Sequence, residues 1–166
     1  MNPVYFRIRL PLEKAMERLI LWSGITYSRC MESDFRNDDI FCDSEKHEKC
    51  YRLGVNSCGE WTVFEDLTGA YSFISVEKWH EFAENDELIV AGFNDDVTYG
   101  EFIVFRNGIL IKYFSYDELS DISFNAGVYD YKINYWTDVA GFIEDDKFYF
   151  SDKGEVLVYK GVFYDY

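Results

Sequence analysis

The dipeptide Asn107-Gly108 constrains this chain most, because it joins two apolar runs, Phe102 to Arg106 and Ile109 to Phe114. A type I′ turn needs positive φ at both central residues. Asn and Gly tolerate that best, so the pair predicts a tight antiparallel hairpin. The turn sets a register in which Arg106 faces Ile109, Phe105 faces Leu110, Val104 faces Ile111, Ile103 faces Lys112 and Phe102 faces Tyr113. Strand side chains alternate between faces. Phe102, Val104, Ile109, Ile111 and Tyr113 then share one face, and Ile103, Phe105, Leu110 and Phe114 the other. Both sets are mainly apolar, where a half-solvated hairpin would carry a polar side. The hairpin is therefore expected inside a sheet covered, at least in part, on both faces, with Leu88 to Phe93 pairing beside it.

Other elements follow from local periodicity. Val4 to Leu10 alternates Val4, Phe6, Ile8 and Leu10 with Tyr5, Arg7 and Arg9, which predicts a strand. Pro11 suits the first turn of a helix. Leu12, Ala15, Met16, Leu19, Ile20 and Trp22 then form one apolar face, and Gly24 is a C-terminal stop. Ile25 to Lys49 lacks a sustained period and reads as a long loop with at most a short helix. Cys50 to Ser57 and Glu60 to Asp66 read as strands around Cys58-Gly59. After a turn at Leu67 to Ala70, Tyr71 to Ile74 reads as a short strand. Ser75 is an N-cap for a helix from Val76 to Glu84 that buries Val76, Trp79, Phe82 and Ala83. Asp117-Glu118 opens a helical turn, and Tyr129, Tyr131 and Ile133 alternate as in a strand. Trp136, Val139, Ala140 and Ile143 have helical spacing, closed by Glu144-Asp145-Asp146. A second hairpin joins Phe148 to Ser151 with Glu155 to Phe163 through Asp152-Lys153-Gly154.

Hairpins dominate this order and long crossover helices are missing. The expected fold class is α+β: a mainly antiparallel, aromatic-rich β-sheet with two or three short helices packed on it. The 166 residues suit a single domain with a strand-helix start at 1–24, an irregular stretch at 25–49 and a sheet core at 50–166. Aromatic side chains, 20% of the chain, favour pleated, half-buried surfaces.

Charge narrows the function classes. The formal net charge is −15; Met1 to Cys30 carries five basic and two acidic side chains, a surplus of +3, so the rest holds −18. That opposes nucleic-acid backbones and anionic membranes, which need clustered Lys and Arg. It suits solubility, or a field that serves a basic partner. The N-terminus has charges inside its only apolar run and no stretch is long enough to span a bilayer. A cytoplasmic protein is expected, with Cys30, Cys42, Cys50 and Cys58 as free thiols.

Catalytic signals are weak. The cysteines are separated by eleven, seven and seven residues, without the close pairs of structural zinc sites. No metal and no cofactor are expected. Of the histidines, His47 pairs with Cys58 only if the fold brings them together, and His80 sits beside Trp79 on a helix edge. No phosphate-binding glycine loop and no nucleophile elbow occurs. Carboxylate groups recur at Glu65-Asp66, Asn94-Asp95-Asp96 and Glu144-Asp145-Asp146. Each is read first as a solvated turn, although such pairs also serve as acid and base. The Asn94 group lacks EF-hand spacing. Most of Tyr5, Tyr71, Tyr99, Tyr113, Tyr129, Tyr131, Tyr135, Tyr149 and Tyr159 are expected in or around the sheet. Those left exposed beside acidic loops would make rigid docking anchors.

Three pieces carry a resemblance: Val63-Phe64-Glu65-Asp66-Leu67-Thr68-Gly69, Ala91-Gly92-Phe93-Asn94-Asp95-Asp96-Val97-Thr98-Tyr99-Gly100-Glu101, and Trp136-Thr137-Asp138-Val139-Ala140. They resemble a family of small acidic bacterial proteins of unassigned function, over about Glu60 to Asp146. The resemblance supplies no catalytic residues. In general character such proteins are also similar to immunity proteins, which neutralise toxins of competing bacteria. The leading expectation is an interaction protein of that type. It would bind a basic toxin domain through Asn94, Asp95, Asp96, Tyr99, Glu65 and Asp66, with neither nucleic acid nor membrane as partner. The alternatives are a small-molecule-binding module or enzyme with a carboxylate pair in an aromatic pocket, and a structural or chaperone-like domain.

Overall fold

A computed structural model of the chain describes residues 4–30, 41–43, 48–66, 68–145 and 157–164. The order is β1 (Val4–Ile8), α1 (Leu12–Ser23), β2 (Thr26–Cys30), β3 (Phe41–Asp43), β4 (Glu48–Cys58), β5 (Trp61–Asp66), α2 (Val76–Ala83), β6 (Leu88–Asn94), β7 (Tyr99–Arg106), β8 (Ile109–Asp117), β9 (Ile122–Gly127), α3 (Trp136–Asp145) and β10 (Leu157–Tyr164). The strands form one sheet in the order β2-β10-β4-β5-β1-β6-β7-β8-β9, with β3 alongside β4. Every pairing is antiparallel. The fold is α+β and mainly sheet.

The middle of the sheet is covered on both faces, whereas β9 and the hairpin tip are not: Ile109 and Leu110 are exposed. On one face, β1 presents Phe6, whose ring stacks on Phe64 at 4.7 Å and lies 5.1 Å from Trp79 and 5.9 Å from Phe82. Those last two come from α2, which starts at Ser75, whose Oγ accepts the Lys78 N–H at 3.2 Å. Beside it α1 buries Ala15, Met16 and Leu19. Pro11 is its N-cap rather than its first helical residue, and the Gly24 N–H closes it onto the Ile20 carbonyl. On the other face α3 lays Val139, Phe142 and Ile143 against Ile89, Ala91, Phe102, Val104 and Phe114. Gly100 permits this approach, since a Cβ there would meet Trp136 Cα at 2.9 Å.

The central hairpin forms, with φ 54° at Asn107 and 75° at Gly108. Arg106 pairs with Ile109 and Phe105 with Leu110 as the turn dictates. A β-bulge at Ile111 then shifts the register, so that Val104 pairs with Lys112, Ile103 with Tyr113 and Phe102 with Phe114. Tyr113 and Phe114 therefore sit on the faces opposite to those expected from an unbroken ladder. An extra residue in one strand reverses every side chain beyond it.

Four further expectations are corrected. Ile25 to Lys49 is not simply loop, since Thr26–Cys30 is an edge strand on β10 and Phe41–Asp43 pairs with β4. Its main partner comes from the far end of the chain, beyond any local periodicity. Tyr71 to Ile74 is a turn with φ 60° at Phe73, not a strand. Asp117 ends β8 and a turn follows it, with no helix. The strand of this region is β9, not Tyr129 to Ile133. Tyr129, Tyr131 and Ile133 do pack together around Phe102 and Phe142, so their alternation marks an extended segment laid over the α3 face. Phe148 to Ser151 and the turn Asp152 to Gly154 lie outside the described residues; the other arm is present as β10.

Candidate functional site

The fold gathers acidic residues at the end of the sheet opposite Asn107-Gly108. Asn94 closes β6 there, and its Oδ1 accepts the Asp96 N–H at 3.0 Å, which fixes the loop as an Asx turn. The Thr98 N–H reaches the Asp95 carbonyl at 3.4 Å, with φ 49° at Thr98. The Thr98 carbonyl accepts the Glu118 N–H at 3.3 Å, which ties this loop to the β8–β9 turn. In that turn Asp117 Oδ1 accepts the Leu119 N–H at 3.1 Å, and the Asp121 N–H donates to the Glu118 carbonyl at 3.3 Å. Asp95, Asp96, Glu118 and Asp121 are exposed, and none is ion-paired with Lys or Arg among the described residues. Exposed apolar side chains stand beside them: Leu119 at 79%, Ile122 at 47% and Phe124 at 49%.

The six residues singled out from sequence divide into two kinds. Asp95 and Asp96 are on the surface and Asn94 is half-buried as the turn former. Tyr99, Glu65 and Asp66 turn into the protein. Asp66 is buried, and its carboxylate accepts N–H groups from Thr68 at 3.2 Å, Gly69 at 3.0 Å and Tyr71 at 2.7 Å. Burial raises its pKa and these donors oppose the rise. It shapes the turn after β5 rather than presenting a surface charge. Glu65, one residue earlier, faces the other side of the sheet, where burial raises its pKa against a hydrogen bond from Tyr5. Asp66 aligns through Val4 with Gly92. The two strand spacings put these Cα atoms about 10 Å apart. Glu65-Asp66 thus shares the end of the sheet with Asn94 but not its surface.

Tyr99 is buried and its hydroxyl donates to Glu101. Phe73 packs at 5.8 Å from the Tyr99 ring. Burial pushes Glu101 up to about 7, while the Tyr99 bond pulls the other way. Burial first, and then the Glu101 charge, raise Tyr99 far above the ordinary phenol range. A carboxyl near neutrality beside a phenol can hold or release a proton at working pH. Glu101 was not among the residues selected from sequence. Its signal was present as one carboxylate inside the apolar run of β7.

The remaining candidates disperse. Asp145 accepts the Tyr131 hydroxyl at 2.9 Å on the α3 surface. His80 Nε2 lies 2.9 Å from the Gly108 carbonyl and its ring stacks on Phe105, so it braces the central hairpin. Cys58 is an exposed free thiol, and the side chains of Cys30, Cys42, His47 and Cys50 lie outside the described set. Among the described residues no group of three or more His, Cys, Asp and Glu side chains is arranged to hold a metal ion. Nor is any helix there long and apolar enough to cross a membrane. A groove of about 480 Å³ lies elsewhere, between α1 and α2, lined by Lys14, Glu17, Arg18, Leu21, Trp22, Glu81 and Glu84. Comparison of the chain with known protein families, curated proteins and solved structures finds no match.

Proposed function

We propose that this chain is an acidic interaction protein of the immunity type, which binds a basic toxin domain and blocks it. One observation carries the reading: Asp95 and Asp96 stand exposed on a loop hydrogen-bonded to a second acidic turn, beside exposed Leu119 and Ile122. Unpaired carboxylates on a rigid scaffold steer a cationic partner and raise its association rate. The apolar side chains supply the contact area that charge alone lacks. Blocking then needs only that the docked protein cover the toxin's active surface. The resemblance to small acidic bacterial proteins points the same way.

Affinity capture at low salt, with the wild-type chain and the Asp95→Lys plus Asp96→Lys variant, tests this. The expected result is one basic partner, released by salt, lost in the variant, and toxic when expressed without this chain. Equal capture of that partner by both proteins removes the acidic loop from the interface. A captured partner that is neutral or acidic overturns the reading.

The second reading, a module or enzyme with a carboxylate in an aromatic setting, is favoured by the Tyr99–Glu101 pair. Activity or ligand binding that follows the titration of Glu101 near pH 7 would distinguish it.

A further inference from the structure

We propose that β9 is a strand-addition site, taking an extended segment of a basic partner protein onto its outer edge. The proposal rests on the basic-partner reading and adds where and how that partner docks.

β9 ends the sheet. Its inner edge pairs with β8 from Lys112–Gly127 to Asp117–Ile122, and among the described residues no strand lies beyond it. All six residues, Ile-Ser-Phe-Asn-Ala-Gly, are exposed. Alternate residues of an edge strand point their N–H and C=O groups outwards, where they template a further strand. Proteins usually blunt such edges with Lys, Arg or Pro. The opposite edge, β2, includes Arg29, whereas β9 holds no charged residue and no proline. Among the described residues no later segment pairs with this edge, although Asn134 Oδ1 accepts the Asn125 side-chain amide at 3.5 Å. After Gly127 the chain crosses the α3 face, where Tyr129, Tyr131 and Ile133 pack.

The edge is also held in place. Lys112 Nζ donates to Asn125 Oδ1 at 2.6 Å and to the Gly127 carbonyl at 3.3 Å, fastening the far end of β9 to β8. Phe124 packs on Tyr113 at 5.0 Å. Ile122, Phe124 and Ala126 share one face by register, opposite Asp117, Ser115 and Tyr113. An added strand would lay alternate apolar side chains against Ile122 and Phe124.

Charge selects the occupant. Glu118 and Asp121 flank one end of β9 and Asp130 the other, all exposed. A segment with Lys or Arg outside an apolar alternation matches that arrangement. A second copy of this chain would bring two molecules of net charge −15 together at their acidic turns.

The test uses two synthetic peptides of equal charge on the full chain, an alternating lysine–valine octapeptide and the same octapeptide N-methylated at every backbone amide. Amide hydrogen exchange is read residue by residue. The lysine–valine peptide should slow alternate amides in Ile122–Gly127 by about tenfold or more, as backbone hydrogen bonds form. The N-methylated peptide, lacking backbone N–H donors, should not. Phe124→Lys should abolish the slowing while the β7–β8 amides keep their protection, which shows that the variant is folded. If both peptides perturb Asp95, Asp96, Glu118 and Asp121 without slowing β9, strand addition is overturned and the basic-partner reading stands. If neither peptide perturbs those residues, both ideas fall. Slowing of β9 in the chain alone, with a doubling of mass, would make a second copy the occupant and overturn the proposal.

Discussion

The two ends of the β6–β7–β8 strands handle charge in opposite ways. At the Asn107-Gly108 end, Glu87, with its side chain 12% exposed, takes Arg9 and Arg106 at 3.3 Å each. Arg18 pairs with Asp86 at 2.8 Å and Glu84 at 3.2 Å, and also donates to the Phe82 and Ala83 carbonyls at the end of α2. Charges there are spent within the fold. At the other end, Asp95, Asp96, Glu118 and Asp121 face solvent with no Lys or Arg partner among the described residues, while Asp66 and Glu101 are drawn inside. Position divides them: inward carboxylates accept turn N–H groups or have their pKa raised by burial, and outward ones stay in solvent.

This contrast can be broken at several points. The largest effect is expected for Asp66→Ala, which leaves the N–H groups of Thr68, Gly69 and Tyr71 without their acceptor. Loss of about 3 kcal/mol in urea unfolding is expected, and a change within experimental error would show that the turn does not depend on this carboxylate.

Glu101→Gln tests the stored proton. Burial raises the folded pKa to about 7 from an ordinary 4.5, so between these values the folded state holds more protons than the unfolded one. Stability from this group is full below about pH 4.5 and falls as pH rises through about 7, by at most about 3 kcal/mol after allowing for partial exposure. The variant should flatten that fall and be the more stable protein at pH 8. An unchanged slope between pH 5 and 8 would place the titration elsewhere.

Glu87→Gln should cost about 1–2 kcal/mol, because two arginines lose a largely buried partner. Measured stability equal to wild type would erase the distinction between the two ends. The smallest effect on folding is expected for Asp95→Lys plus Asp96→Lys. Its urea midpoint should match wild type or rise slightly as repulsion between like charges falls, even as association with the proposed basic partner slows. A marked destabilisation would mean that these charges, too, serve the fold.

How much could be read beforehand depended on how local each determinant was. Asn107-Gly108 gave the hairpin because its turn geometry is decided by two residues. α1, α2 and α3 were legible because their buried faces repeat within the helix itself, as with Ala15, Met16 and Leu19. β2 escaped because its partner β10 lies over a hundred residues away, and pairing with it needs no local period. The Ile111 bulge escaped because no residue type marks it, yet it put Tyr113 beneath Phe124 and Phe114 beneath α3. At the candidate site the Asn94-Asp95-Asp96 turn was visible from composition. The inward turn of Tyr99 and Asp66 was not, since alternation states that neighbours face opposite sides but not which side is buried.

The sequence by itself determined the local elements, the central turn and the excess of negative charge, because these follow from residue type and short-range spacing. Only the tertiary structure decided which carboxylates are neutralised, which are buried and which remain free. Those outcomes depend on strands and helices that sheet order brings together, and desolvation or an ion partner at a few ångströms outweighs anything encoded in the residue alone.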